Sequence, residues 1–272
     1  MSSIMKKIYC INKDGAVSET VGYIILFGIM TAGIALVTLY GYPLLLQEQA
    51  NANIRNMERN MIVLQSDVNA LVYKSVPYKE TTMQVSGGVL SVEKPVDITD
   101  PQNVEKSFRI EIPGALPETD FSPGGLKFLS ENGDISILLQ SGAIVKYQSG
   151  GSVMISEPRW FIDSVAGKNT LVIPLIEVNS SKNLAKSGIG TVQMSVEPLN
   201  MFDGGTTNFK DFSSSPPYTV TVRPPLEYQK AWENFFRDSL GMTNNPPGST
   251  SWERTGVDRV VIKAWRINVI NL

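Results

Sequence analysis

The chain of 272 residues is 42% hydrophobic and 18% charged, with 24 basic residues against 26 acidic ones and a net charge of −2. That balance fits a globular chain with an apolar segment, and it offers no broad basic surface, which argues against nucleic acid as a partner. There is no histidine, and Cys10 is the single cysteine, so the commonest general base, the commonest zinc ligand, Ser-His and Cys-His pairs, intrachain disulfides and thiolate clusters are all excluded.

Three lysines, Lys6, Lys7 and Lys13, precede an uncharged run from Val21 to Leu46, VGYIILFGIMTAGIALVTLYGYPLLL. A helix of about 26 residues rising 1.5 Å each reaches roughly 39 Å, enough to cross a hydrocarbon core of about 30 Å with some tilt. Basic residues ahead of a first span hold that end in the cytoplasm and put the C-terminal bulk outside. No small-residue cleavage site follows Leu46, where the chain continues as QEQANANIRNMERN, so the run is expected to stay in the mature protein. Pro43, near its outer end, lacks an N–H and is expected to bend the helix there.

Directly before the run lies Lys13-Asp14-Gly15, followed by Ala16-Val17-Ser18-Glu19-Thr20-Val21-Gly22. This junction, with the retained helix after it, resembles archaeal type IV pilin-like proteins, whose class III signal peptides are cut by a prepilin peptidase on the cytoplasmic side of the apolar helix. The resemblance implies cleavage between Gly15 and Ala16, and as partners a prepilin peptidase, an assembly ATPase with its membrane platform protein, and other copies of the chain or related pilins. Glu19 becomes the fourth mature residue, whereas bacterial pilins carry a glutamate at the fifth. The same stretch also reads as a plain helix start, with Ser18 as N-cap and Glu19 in the first turn.

From about Gln47 to Val72 the helical pattern becomes amphipathic. Ile54, Met57, Met61, Leu64, Val68 and Leu71 form a heptad-type seam, with Arg55, Glu58, Arg59 and Asp67 mostly off it, and Pro77 marks its end. The surface that receives this seam is the chain's own β-domain, a neighbouring subunit's helix or a second copy in a parallel dimer, the first being the leading expectation.

Beyond the helix the period falls to two. Strands are expected over Thr82–Val85, Val89–Val92, Ser107–Ile112, Leu126–Leu129, Ile135–Leu139, Ile144–Gln148, Val153–Ser156, Asn169–Ile176, Gly190–Glu197, Tyr218–Val222, Arg259–Ala264 and Arg266–Ile270. Gly87-Gly88, Asn132-Gly133, Ser141-Gly142 and Gly150-Gly151 read as hairpin loops between them. Leu226–Leu240 reads as a helix after Pro224-Pro225 and before Gly241, with Trp232, Phe235, Phe236 and Leu240 facing the core. The fold class is therefore α+β. A long N-terminal transmembrane or pilin-like helix leads into a mainly antiparallel, sandwich-like domain with one short helix in its C-terminal half. The organisation is a leader over 1–15, the apolar helix over 16–46, an amphipathic stalk over 47–76 and the β-rich domain over 77–272.

Few motifs carry chemistry. Asn179-Ser180-Ser181 is a glycosylation sequon placed after a strand. Asp97, Thr99 and Asp100 alternate as Ca²⁺ ligands do, but the run lacks the glycine and closing glutamate of an EF-hand loop, and an Asx-type turn is the better reading. Glu131-Asn132-Gly133-Asp134 reads as a hairpin tip. No phosphate-binding loop or dinucleotide fingerprint appears, so no cofactor, no metal and no enzymatic role are expected. The expected role is a pilin-like or minor subunit of a cell-surface filament concerned with adhesion. The alternative is a single-pass envelope or binding protein that never polymerises. In either case the chain sits in the cell membrane with its C-terminal domain outside, or in an extracellular filament, and lipid is a partner.

Overall fold

The computed structural model describes residues 14–74 and 76–272. The leader expected over residues 1–15 lies outside this set except for its last two positions, and Lys6, Lys7, Cys10 and Lys13 lie outside it altogether. Two compact units make up the chain, Met1–Ala52 and Asn53–Leu272.

Helix α1 spans Asp14–Leu36, a π-helical turn occupies Val37–Gly41, and helix α2 spans Tyr42–Tyr73. Ser18 is therefore inside a helix that has already begun at Asp14, and the N-cap expected there is not formed. Where a bend was expected at Pro43, the helix carries a π turn just before the proline. In an unbroken α-helix the Pro43 ring would strike the carbonyl of Leu39 and leave it without a donor. Here the Tyr42 N–H reaches back five residues to the Val37 carbonyl oxygen, which widens the turn ahead of the proline. The Thr38 hydroxyl adds a hydrogen bond to the Ile34 carbonyl at 2.9 Å.

The β-elements are β1 (Tyr78–Glu93), β2 (Phe108–Ile112), β3 (Leu116–Phe121), β4 (Gly125–Ser130), β5 (Ile135–Gln140), β6 (Ala143–Gln148), β7 (Gly151–Ser156), β8 (Phe161–Val165), β9 (Lys168–Asn179), β10 (Ala185–Pro198), β11 (Phe209–Phe212), β12 (Tyr218–Arg223), β13 (Thr243–Asn244), β14 (Trp252–Val257) and β15 (Arg259–Asn271). A 3-10 turn at Leu226–Tyr228 leads into helix α3, Gln229–Asp238. A ten-stranded sheet runs β7-β6-β5-β4-β1-β10-β15-β9-β8 with β11 also on β15, and a five-stranded sheet runs β13-β14-β12-β2-β3. Every named pairing is antiparallel except β9 with β15, which is parallel. The fold is α+β and mainly antiparallel.

The large sheet is covered on both faces. Against one face lies the α2 seam. Met57, Met61, Leu64, Val68 and Leu71 are buried with Leu126, Phe128, Ile137, Leu139, Val192, Met194 and Ile267, and Ile54 packs on the edge of this cluster. Removing each such side chain from water contributes about 1.5–3 kcal/mol, so the seam fixes the Asn53–Tyr73 half of the helix to its own domain. Against the other face lie the small sheet and α3. Phe108, Ile110, Val220, Val222, Trp232, Phe235 and Phe236 pack there on Leu138, Val145, Leu171, Ile173 and Ile262. Period two makes this possible, because successive residues of β5 serve opposite cores, Ile137 and Leu139 one and Leu138 the other.

Two expectations need correction. Gly87-Gly88 is not a hairpin loop but a bulge inside the continuous strand β1, whose register on β10 shifts between Val85 and Leu90. The bulge changes the parity of the strand, so that Met83 and Val85 before it and Leu90 after it all face α2. A side chain at Gly88 is barred, since a Cβ there would lie 2.2 Å from the Leu129 carbonyl oxygen. Arg259–Ala264 and Arg266–Ile270 are likewise one strand, β15, shared between both cores. The other glycine signals do mark hairpins: β4–β5 turns at Asn132-Gly133, β5–β6 at Ser141-Gly142, and β6–β7 at Gly150. The expected helix over Leu226–Leu240 begins as the 3-10 turn and ends with Met242 N–H bonded to Phe236 O at 2.8 Å, and its four named apolar residues are all buried.

Candidate functional site

Two regions stand out, the apolar helix and a polar cleft in the globular unit. From Glu19 to Ala50 every side chain is exposed. An 18-residue window here reaches a mean hydropathy of 2.1 with none of it buried, which makes this helix long and apolar enough to cross a membrane. Gly15 and Ala16, the expected cleavage position, lie in the first turn of α1.

Asn179 ends β9, in register with Asn268 of β15. Its Oδ1 accepts from the Ser180 N–H at 2.8 Å, and in the sequon Asn179 is half-buried, Ser180 buried and Ser181 exposed. Asp97 Oδ1 accepts both the Thr99 N–H at 3.0 Å and the Thr99 hydroxyl at 2.7 Å, which is the Asx-type turn. Those two bonds, the backbone one first, hold the Asp97 carboxyl below its ordinary pKa. Among the described residues no group of three His, Cys, Asp or Glu side chains is placed to hold a metal ion.

The cleft opens on the face of the large sheet that carries the small sheet, where β1, β4 and β5 meet the Pro225–Tyr228 segment. It encloses about 290 Å³ and is lined by Glu93, Lys94, Lys106, Ser122, Gln140 and Glu227 among others. Strand alternation aims these groups. Leu126 and Phe128 face α2, so Lys127 between them faces the cleft side, and Leu138 with Gln140 does the same on β5. Lys127 Nζ lies 2.9 Å from Glu93 Oε1 and 3.0 Å from Glu227 Oε1, with the Tyr228 ring centroid 5.9 Å away. Burial alone would lower the Lys127 pKa, but its hydrogen bonds to the two glutamates outweigh that and hold it above its ordinary value. Burial also pushes Tyr228 up to about 12, helped by the neighbouring charge of Glu227, to which its hydroxyl donates at 2.9 Å.

At the floor, Gln140 is only 7% exposed, and its buried Oε1 has no hydrogen-bond partner among the described residues. The Ser122 hydroxyl oxygen accepts the Val96 N–H at 2.7 Å. Gly124 forms part of the wall at φ +56°, where a Cβ would lie 2.2 Å from the Val178 carbonyl oxygen. Sequence reasoning singled out none of these residues. Its one accessible signal was polar Lys127 inside the apolar alternation of β4; the partners come from positions 93 and 227, far along the chain.

Architecture and sites together define a class, a β-rich globular unit on an N-terminal helix of membrane-spanning length. Residues 16–269 match a family of unknown function, DUF7289, and the chain belongs to that family. No curated protein matches the chain, and no solved structure does.

Proposed function

We propose that the chain is a pilin-like subunit, major or minor, of a cell-surface filament, anchored by α1 before assembly. The observation that carries this reading is the unbroken exposure of an apolar helix joined to a globular domain through α2. So much apolar surface does not remain in water. It is buried in lipid or among sister helices, and a filament core supplies the second. Gly28, Ala32, Gly33 and Ala35 allow close helix approach, and a Cβ at Gly28 or Gly33 would meet nothing within 4 Å beyond the backbone of its own helix. The Lys-Asp-Gly junction supports processing after Gly15, and the lysines before it support a cytoplasmic N-terminus with the β-domain outside.

A second reading, an anchored binding protein that does not polymerise, is favoured by the polar cleft. Shearing the cells and separating filaments from membranes by centrifugation tests the first reading. A filament subunit appears in the sheared fraction with an intact mass lacking residues 1–15. A full-length chain found only in membranes overturns it and leaves the second.

A further inference from the structure

We propose that Asn179 carries an N-linked saccharide, transferred outside the membrane from a polyprenyl phosphate or pyrophosphate donor. The inference needs the β-domain outside, which both readings above share, and is independent of polymerisation. Asn179-Ser180-Ser181 is the single Asn-x-Ser/Thr sequence in the chain, and so short a motif decides little by itself. The fold adds the geometry. Strand β9 stops at Asn179, so the two serines after it lie outside the ladder, in the loop to β10. Ser180 turns inward, 4% exposed, with its hydroxyl oxygen accepting the Lys182 N–H at 3.4 Å, and Ser181 stays exposed. Asn179 Oδ1 is held by the Ser180 N–H, while Nδ2 is not a buried atom and donates to no described residue. The Ser181 hydroxyl likewise has no partner among the described residues. A transferase that reads this motif engages the amide nitrogen at its first position and the hydroxyl at its third. Those are the two groups left open.

The surroundings suit a sugar. In register with Asn179 across the large sheet lie Asn268 of β15, Ser195 of β10 and Tyr78 of β1. Val178, Ile267, Val269 and Met194 beside them are buried with the α2 seam, so strand alternation puts this row on the opposite face. Asn268 and Ser195 are half-buried there, and Tyr78 is 42% exposed. With strands about 4.8 Å apart the row runs roughly 14 Å, polar groups first and an aromatic ring at its end. The first sugars rest on this row and displace no packed apolar side chain. In the transfer, Nδ2 bonds to the anomeric carbon of the first sugar and the bond from that carbon to the donor's phosphate oxygen breaks. The polyprenyl phosphate or pyrophosphate leaves with the electron pair, and one Nδ2 proton passes to a base of the transferase.

Mass spectrometry of the chain purified from its own cells tests this, because trypsin releases the motif in the single peptide Asn169–Lys182. The peptide is expected to carry a saccharide mass that fragmentation places on Asn179. Asn179→Gln and Ser181→Ala are each expected to return it to the bare mass, and Ser181→Thr to keep the sugar. Ser181 is on the surface, so its variants fold even where a change at half-buried Asn179 is disruptive. A bare peptide from the parent chain, or a sugar that survives Ser181→Ala, overturns the proposal. Labelling intact cells with a membrane-impermeant amine reagent separates this failure from that of the topology. A bare peptide from a chain labelled at exposed Lys230 overturns the glycan alone, and a bare peptide from a chain that takes no label overturns the outside placement as well.

Discussion

Gln65 on α2 donates through Nε2 to the carbonyl oxygen of Gly142 at 2.7 Å, joining the helix to the β5–β6 turn. The same nitrogen reaches the Glu157 carbonyl at 3.1 Å, and Gln65 Oε1 accepts the Ser156 hydroxyl at 2.7 Å, so the amide of this buried residue is fully used. Gln65→Ala strands two carbonyls and a hydroxyl in a packed interface, and a loss of about 1–3 kcal/mol is expected. All four tryptophans lie beyond residue 52, so urea unfolding of the detergent-solubilised chain followed by tryptophan fluorescence reports on the globular unit. Arg55→Ala, on the exposed side of the helix, is the control and should shift stability by no more than about 0.5 kcal/mol.

The bulge in β1 makes a second prediction. At Gly88 a Cβ would lie 2.2 Å from Leu129 O and 2.6 Å from the Phe128 ring, and neither backbone nor buried aromatic can retreat far. Gly88→Ala should therefore cost more than about 2 kcal/mol, or misregister β1 on β4. At Gly151, the start of β7, a Cβ would meet nothing within 4 Å, and Gly151→Ala should stay within about 0.5 kcal/mol of the parent. Thermal unfolding of the two variants side by side measures the contrast. Equal midpoints would mean that β1 passes Gly88 without the bulge.

These residues also show what the sequence made legible. The α2 seam was readable because Met57, Met61, Leu64, Val68 and Leu71 repeat at helical spacing, and the hairpins because Asn132-Gly133 and Ser141-Gly142 bring their own turn chemistry. Gly87-Gly88 carries the same local signal as those turns. What separates bulge from hairpin is the strand that pairs on both sides of it, β10, far along the chain at Ala185–Pro198, which no local pattern contains. Strands β3, β8, β11, β13 and β14 escaped the reading because they are short or poorly alternating; β8 shows no buried residue at all. The cleft was illegible for a related reason. Glu93, Lys127, Gln140 and Glu227 are ordinary polar residues one at a time, and only the sheet order brings them together.

Alkaline pH should expose the Lys127–Tyr228 pair. An unfolded chain releases a tyrosyl proton near pH 10, whereas folded Tyr228 holds its proton up to about 12. Between those values the unfolded state binds fewer protons, so stability is fully present below pH 10 and falls as pH rises through the window. Lys127, also held above its ordinary value, adds to the fall with the same sign. Tyr228→Phe should remove up to one proton from the slope, about 1.4 kcal/mol per pH unit, visible in urea midpoints at pH 9, 10 and 11. Superimposable pH profiles would show that Tyr228 ionises as freely in the fold as outside it.

The π turn at Val37–Gly41 yields the last prediction, because its cause can be removed with one substitution. The turn places a five-residue hydrogen bond, Tyr42 N–H to Val37 O, immediately before a proline that has no N–H to offer Leu39. In lipid an unsatisfied carbonyl is expensive, and water is not there to help. Pro43→Ala restores a donor at position 43 and takes away the ring that collides with the carbonyl four residues back. The α-register should then run unbroken through residues 37–41. Solid-state NMR of the chain in bilayers should find the carbonyl shifts of these residues moved to regular α-helical values and the new backbone amide at position 43 protected from exchange. If the π pattern survives, the proline is not its source, and the Thr38 hydroxyl bond to Ile34 O, tested by Thr38→Val, becomes the group that holds the turn open.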